Sequence, residues 1–362
     1  MVLELTQKVI LTALDILNGA SVWLIISFVL AGLMHNLISP DRLQRMLGNR
    51  SVSALIKATA SGMLLPICSC GVIPLGLGLY YSGAYLGPTL AFMTATPIIN
   101  PAAVLLAYGF LGPQIATIYL VAGFVVPMLI GMIGNKLAGP EIHAPGMEGP
   151  VEMRELEPGE QAGLVQKLQT GLRWGFLDMG VSVSKYVCVG MLLAGLIIVL
   201  APPAFIQEYL GNPGLISVAG IAVLGAIMYV CAVGHIPFIA ALIASGAAPG
   251  LAITFLMTGA ATNLPELISI YKMIGRRTVL IYSSVLLSAS FIVGYLTNLF
   301  LLPGFTPFFD LSKSRQTVGM ANNLIFAAPE PLRYLCTAVV LLLGVYALWP
   351  GFKRALAKVR AA

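Results

Sequence analysis

Between Lys57 and Lys136 the chain carries no Asp, Glu, Lys or Arg. About 20 apolar residues cross the hydrocarbon core of a bilayer as a helix, so residues 58–135 hold several passes. The rest of the chain agrees: 58% of its 362 residues are hydrophobic and 9% are charged, against about 25% charged in soluble domains. In lipid the backbone must satisfy its own hydrogen bonds, which helices do within a single segment. The fold class read from these facts is an all-α integral membrane protein. The net charge of +6 does not indicate nucleic acid, because the basic residues sit at segment boundaries rather than in a stripe with aromatics. No cleavable signal peptide is read: the first apolar segment is long and no small-residue cleavage site follows it.

Residues 11–137 align without a gap to residues 174–300, at a constant offset of 163. Asp15 matches Asp178, Cys68 matches Cys231, and Gly71, Ile73 and Pro74 match Gly234, Ile236 and Pro237. Ser82-Gly83-Ala84 matches Ser245-Gly246-Ala247, Asn100 matches Asn263, and Tyr108 matches Tyr271. Apolar composition makes chance identities common, but it does not align Cys, Pro, Asn and Asp at one offset. The chain is therefore a duplication. Its expected parts are a first transmembrane repeat (1–140), a polar linker rich in Glu (141–173), a second repeat (174–301), and a loop with a last apolar helix (302–362).

Loop 37–53 carries Arg42, Arg45 and Arg50 against Asp41, whereas its counterpart 201–215 has only Glu208. Loop 108–114 is uncharged, whereas its counterpart 271–278 has Lys272, Arg276 and Arg277. Positive charge collects in cytoplasmic loops, so 37–53 and 271–278 are expected inside and the other two outside. The copies are then two inverted repeats, an arrangement common in transporters. Residues 54–108 must cross an odd number of times and are too short for three passes. One span plus one re-entrant hairpin fits, with the hairpin over 54–82 broken around Pro66 and Pro74, and a second over 217–247. The expected architecture is seven full spans and two hairpins, with the N-terminus outside and the linker and basic C-terminus in the cytoplasm. Parallel repeats with eight or nine simple spans are the alternative.

Hairpins entering from opposite faces would meet near mid-membrane. Their tips carry Cys68, Cys70, Cys231 and His235, soft-to-borderline ligands suited to thiophilic metals and metalloids. Cys68 and Cys70, flanked by prolines and glycine, read as cargo ligands, while Cys188 and Cys336 read as packing thiols. Cys231 and His235 fit either role. A second pair of breaks is expected at 94–101 and 258–266, with Thr96, Asn100, Thr262 and Asn263 offering polar contacts. These side chains either line a substrate site or satisfy backbone groups that proline leaves free. Glu266 is the deepest acid of this topology and a coupling candidate, with Lys185 as a possible partner. Its position six residues before Lys272 also allows an interfacial salt bridge. Asp15 and Asp178 read as helix starts or interfacial anchors.

Pro66-Ile67-Cys68-Ser69-Cys70-Gly71-Val72-Ile73-Pro74 with Ser82-Gly83-Ala84, and Met257 through Leu267, resemble the two signatures of a bacterial and archaeal predicted-permease family. That family includes the YraQ-like permeases and the ArsP organoarsenical efflux permeases. The resemblance covers about 11 to 300. It implies a multi-pass protein of the prokaryotic plasma membrane with a cytoplasmic central loop. In the ArsP branch membrane cysteines bind trivalent organoarsenicals, and Cys68 and Cys70 stand at the matching positions. A related branch is assigned to copper and zinc efflux.

The expected function is secondary efflux of a thiophilic metal or metalloid species. The expected partners are a small-molecule or ion substrate and the lipid bilayer. No cofactor motif is read, and no Walker-type phosphate loop occurs. The chain is read as a transporter rather than an enzyme. The alternative is a membrane thiol–disulfide oxidoreductase, which needs an accessible thiol of low pKa.

Overall fold

The computed structural model describes residues 2–37, 46–65, 67, 69–145, 164–200, 214–227, 232, 235–236, 239–240, 243, 247–301 and 329–360. The first copy contains α1 (Val2–Leu37), α2 (Val52–Leu64), α3 (Ser69–Tyr81), α4 (Leu86–Ile98), α5 (Pro101–Phe110) and α6 (Gly112–Leu137). In the second copy α7 (Leu164–Arg173), a π-helical segment (Trp174–Gly180) and α8 (Val181–Leu200) stand where α1 does in the first. They are followed by α9 (Leu215–Ile227), α10 (Pro249–Ala261), α11 (Leu264–Met273) and α12 (Arg276–Leu301). The last helix, α13 (Glu330–Arg360), lies outside the repeat. The bounds of α2, α4 and α5 recur in α9, α10 and α11 at the same offset of 163. Among the described residues five helices are long and apolar enough to span a bilayer, and the count reaches seven when each of the bent pairs α4–α5 (42°) and α10–α11 (44°) is one span.

The first hairpin is re-entrant. Its two arms are α2 and α3, and the Tyr85 N–H beyond α3 donates to the Leu47 carbonyl before α2 at 3.0 Å. The chain thus leaves and re-enters the membrane at one end. The break falls between Leu64 and Ser69, so Pro74 lies inside α3 instead of ending it. Proline in a membrane helix is tolerated where neighbours re-satisfy the freed carbonyl. Pro97 likewise lies inside α4, and that break follows it at 99–100. Of the second hairpin, α9 is its first arm, while Cys231 and most of the return arm lie outside the described residues.

The two copies run in opposite directions. Gly32 of α1 abuts the Gly171 carbonyl and Gly175, while Gly195 of α8 abuts the Val9 carbonyl and Ala13. The Phe28 and Phe176 rings stand 6.1 Å apart. Early residues of one long helix therefore meet late residues of the other, and glycines permit the close approach. These contacts are centred near Ala20 and Val183. The loops agree. Tyr81 donates its hydroxyl to the Met273 carbonyl at 2.7 Å. Glu141, just past α6, accepts from the N–H of Thr278 at 2.9 Å and also from its hydroxyl. Tyr80 lies 2.8 and 2.7 Å from the carbonyl oxygens of Glu141 and His143. Residues 47–51, 82–85, 138–143 and 273–278 thus gather at one end of the bundle. Gly83 takes φ 105 to make the turn after α3, and Gly112 takes φ 81 at the corner between α5 and α6, at the other end.

Two expectations change and one holds. α13 was expected to cross in the sense of α1. Instead Ser21 of α1 donates to the Arg333 carbonyl (3.1 Å) and Thr337 donates to Asn18 (3.0 Å), so the two helices run oppositely where they touch. Asp15 and Asp178 are not helix starts: both are exposed within long helical stretches, Asp178 in the π-helical segment. Cys188 and Cys336 pack as expected, Cys188 against Gly344 and Cys336 beside Val22, with neither in a disulfide.

Candidate functional site

A membrane helix that breaks exposes carbonyls at the end of one half and N–H groups at the start of the other. Both bent spans close these gaps by the same device. Asn100 caps α5 by accepting from the Ala103 N–H at 2.9 Å, and Asn263 caps α11 by accepting from the Glu266 N–H at 2.9 Å. From the following helix Tyr119 donates its hydroxyl to the Ile98 carbonyl at 2.6 Å, and Tyr282 approaches the Ala261 carbonyl in the same register. One helix end earlier, Asn135 accepts from the Gly87 N–H (2.9 Å) and Asn298 from the Gly250 N–H (2.7 Å). Composition and motif reading missed these tyrosines and asparagines. The signal was present, since both pairs coincide at the offset of 163.

The two threonines named from the sequence are fully buried. Thr96 donates to the Phe92 carbonyl at 2.7 Å, and Thr262 to the Thr258 carbonyl at 2.6 Å. With its proton directed along its own helix, each hydroxyl keeps lone pairs as its remaining polar capacity. Gly62 of α2 abuts Thr96 and the Phe92 carbonyl, and Gly225 of α9 abuts Thr258 and the Phe255 carbonyl. The hairpin arms therefore lie directly on the bent spans in both copies.

Glu266 is fully buried in the first turn of α11. Its carboxyl oxygens lie 3.2 Å from the Tyr282 hydroxyl and 3.3 Å from the Asn263 amide nitrogen. The partners expected from the sequence are not the ones found. Lys185 stands 5.5 Å over the Tyr186 ring, and Lys272 stands 5.1 Å over the Tyr271 ring. The interfacial salt bridge fails because the first turn of α11 is deep, with Gly190 of α8 packed on Pro265. Thr94 of α4 also meets the Tyr282 hydroxyl, so a first-copy residue reaches this second-copy site.

At the first hairpin, Gly71 of α3 abuts Ser27 and the Trp23 carbonyl. That is within two turns of Ala20, where the long helices of the two copies are centred, so α3 begins near half-depth. Ser69 and Ser27 are buried there, and among the described residues their hydroxyls have no hydrogen-bond partner. Cys68 and Cys231 lie outside the described residues. His235 is half-buried with its ring 6.2 Å from that of Phe255 on α10. Among the described residues no cluster of three His, Cys, Asp or Glu side chains is arranged to hold a metal ion.

Residues 6–299 match the family model ArsP_1, described as predicted permease. The chain is 24% identical over 357 residues to the UPF0718 protein MJ0584 of Methanocaldococcus jannaschii, covering 83% of this chain and 98% of that one. It is 27% identical over 276 residues to the UPF0718 protein YraQ of Escherichia coli, covering 76% of this chain and 77% of that one. It is 25% identical over 285 residues to the UPF0718 protein YcgR of Bacillus subtilis, covering 74% and 88%. No solved structure matches it.

Proposed function

The chain belongs to this predicted-permease family, and from that premise we propose that it exports a thiophilic metal or metalloid species, organoarsenical-like or copper or zinc, by secondary transport. The observation that carries this reading is the re-entrant hairpin: its second arm starts near half-depth, beside the Cys68-Ser69-Cys70 sequence, where the buried Ser27 and Ser69 hydroxyls have no hydrogen-bond partner among the described residues. Unused polar groups at membrane depth belong to a cavity or a ligand path rather than to lipid-facing packing. Thiolates at C-x-C spacing would take a soft cargo. Cys231 and His235 of the inverted copy would receive it, and Thr96, Asn100, Thr262 and Asn263 would line the bent spans on either side.

Alternating access would then be movement of one copy's hairpin and bent span against the other's. The shared end of the bundle carries Arg50, Lys272, Arg276 and Arg277, which supports placing it in the cytoplasm of a prokaryotic plasma membrane with the N-terminus outside.

The test is tolerance of an efflux-deficient host to methylarsenite, copper and zinc, with Cys68→Ser and Cys70→Ser expressed to the same level. Raised tolerance to at least one thiophile, lost in both variants, is expected. Unchanged tolerance to all three, or full protection by both variants, sinks the reading.

A further inference from the structure

We infer that Glu266 carries a proton in this structure, and that exchange of this proton couples transport to the proton gradient; the coupling step rests on the transport reading above. The hydrogens available at the second helix break require that proton. A tyrosine hydroxyl has one proton to donate. In the first copy Tyr119 donates it to the Ile98 carbonyl at 2.6 Å, and Ala103 occupies the position equivalent to Glu266. In the second copy the Tyr282 hydroxyl holds the same station on the Ala261 carbonyl. Its proton is therefore committed there, and Thr94, which also meets this hydroxyl, directs its own proton to the Leu90 carbonyl at 2.7 Å. The 3.2 Å contact between Tyr282 Oη and Glu266 Oε1 needs a proton from the acid, while Oε2 accepts from Asn263 Nδ2 at 3.3 Å. A neutral carboxyl group, with one donor and one acceptor oxygen, satisfies both contacts.

An ionised group would turn Oε1 toward a lone pair, in a fully buried position where its hydrogen-bond partners are an amide and a hydroxyl. Burial of an unpaired charge is strongly unfavourable. Among the described residues, charged and titratable groups on the elements packed against α11 face elsewhere, as Arg277 on α12 faces Gly139. Lys185 on α8 faces Tyr186, and Cys188 on α8 faces Gly344. Tyr81 on α3 binds the Met273 carbonyl at the far end of α11, where Lys272 faces Tyr271.

Loss of the proton has a structural consequence. The O–H bond of Glu266 breaks and the proton passes to water on one side of the membrane, leaving a carboxylate. Tyr282 then turns its own O–H from the Ala261 carbonyl to that carboxylate. The end of α10 loses its tie to α12, and the 44° junction between α10 and α11 is released. Protonation from the other side restores the tie. The first copy, with Ala103, has no such release. Proton exchange thus acts on one bent span and leaves its twin fixed.

The full chain in hydrated lipid films is examined by infrared difference spectroscopy. At neutral pH the wild type is expected to show a protonated-carboxyl C=O band that is lost in alkali and missing from Glu266→Gln. Tyr282→Phe, which removes the acceptor, shifts that band to higher frequency. Glu266→Gln keeps a donor and an acceptor in place and is expected to melt with the wild type. In proteoliposomes carrying an internal pH dye, with methylarsenite or Cu(I) as probe, the wild type is expected to move protons with the probe. Glu266→Gln is expected to retain downhill probe flux without dependence on the pH gradient. Absence of a Glu266 band at neutral pH overturns the inference, and so does full gradient dependence in Glu266→Gln. A wild type that shows the band but moves neither probe overturns the cargo reading alone and supports the protonated acid.

Discussion

The two bent spans, α4–α5 and α10–α11, are built from one plan and differ at one chemically decisive place. Each ends its first half with a carbonyl held by a tyrosine from the next helix and starts its second half with an asparagine cap. Their bends differ by only two degrees, 42° against 44°. Yet Ala103 in one is Glu266 in the other, and Thr94 in one is Met257 in the other. The shared residues maintain the break. The differing ones bring an acid of the second copy and a threonine of the first to the shared tyrosine of α12. After duplication, geometry was retained in both halves while titratable chemistry is present in one.

The strongest challenge to this comparison is at the glycines. Gly87 packs on the Gly131 carbonyl and Asn135, and Gly250 packs on the Gly294 carbonyl and Asn298. If the shared plan is structural, Gly87→Val and Gly250→Val each destabilise the protein by about 3 kcal/mol through overpacking against backbone. Thermal unfolding in one detergent checks this, and a large effect in only one copy would break the equivalence.

The tyrosines come next and should differ. Tyr119→Phe leaves one buried carbonyl unpaired, at about 1–2 kcal/mol, whereas Tyr282→Phe also strips Glu266 of its partner and costs about 2–3 kcal/mol. Equal melting shifts would mean that the acid adds nothing at this site. The caps are expected to be smaller: Asn100→Ala lowers stability by about 1 kcal/mol. Asn263→Ala lowers it further, since the Asn263 amide also reaches Glu266. The reverse order in the same melting assay would count against the assignment.

Inversion itself is tested without any change in stability. Gln114 and Arg277 are exposed equivalents at the offset of 163. Single cysteines placed there should label from opposite sides of the membrane, and labelling from one side would restore parallel repeats.

Much of this architecture is legible in the chain. The offset between copies, the charge contrast between equivalent loops and the positions of Asn100 and Asn263 all survive into the structure, because helix period and interfacial charge are local properties. The site chemistry is less legible. Lys185 and Lys272 attract attention as partners for Glu266 because they are charged and belong to the same repeat. The actual partners are neutral, and one of them, Tyr282, reads in its apolar helix as an ordinary packing aromatic. Pro74 similarly marks its break too late and Pro97 too early, since neighbouring helices decide which freed carbonyls are tolerated.

By itself the sequence determined that this is a duplicated, all-helical membrane chain, since low charge and long apolar runs leave the backbone no other way to satisfy itself in lipid. Tertiary structure decided that α1 lies antiparallel to α7 and α8, that the first hairpin returns to its own side, and that Glu266 meets Tyr282 instead of a lysine. Those outcomes depend on which glycines allow two helices to touch and on which hydroxyl reaches a broken turn. Such facts belong to pairs of distant residues and to no single stretch of chain.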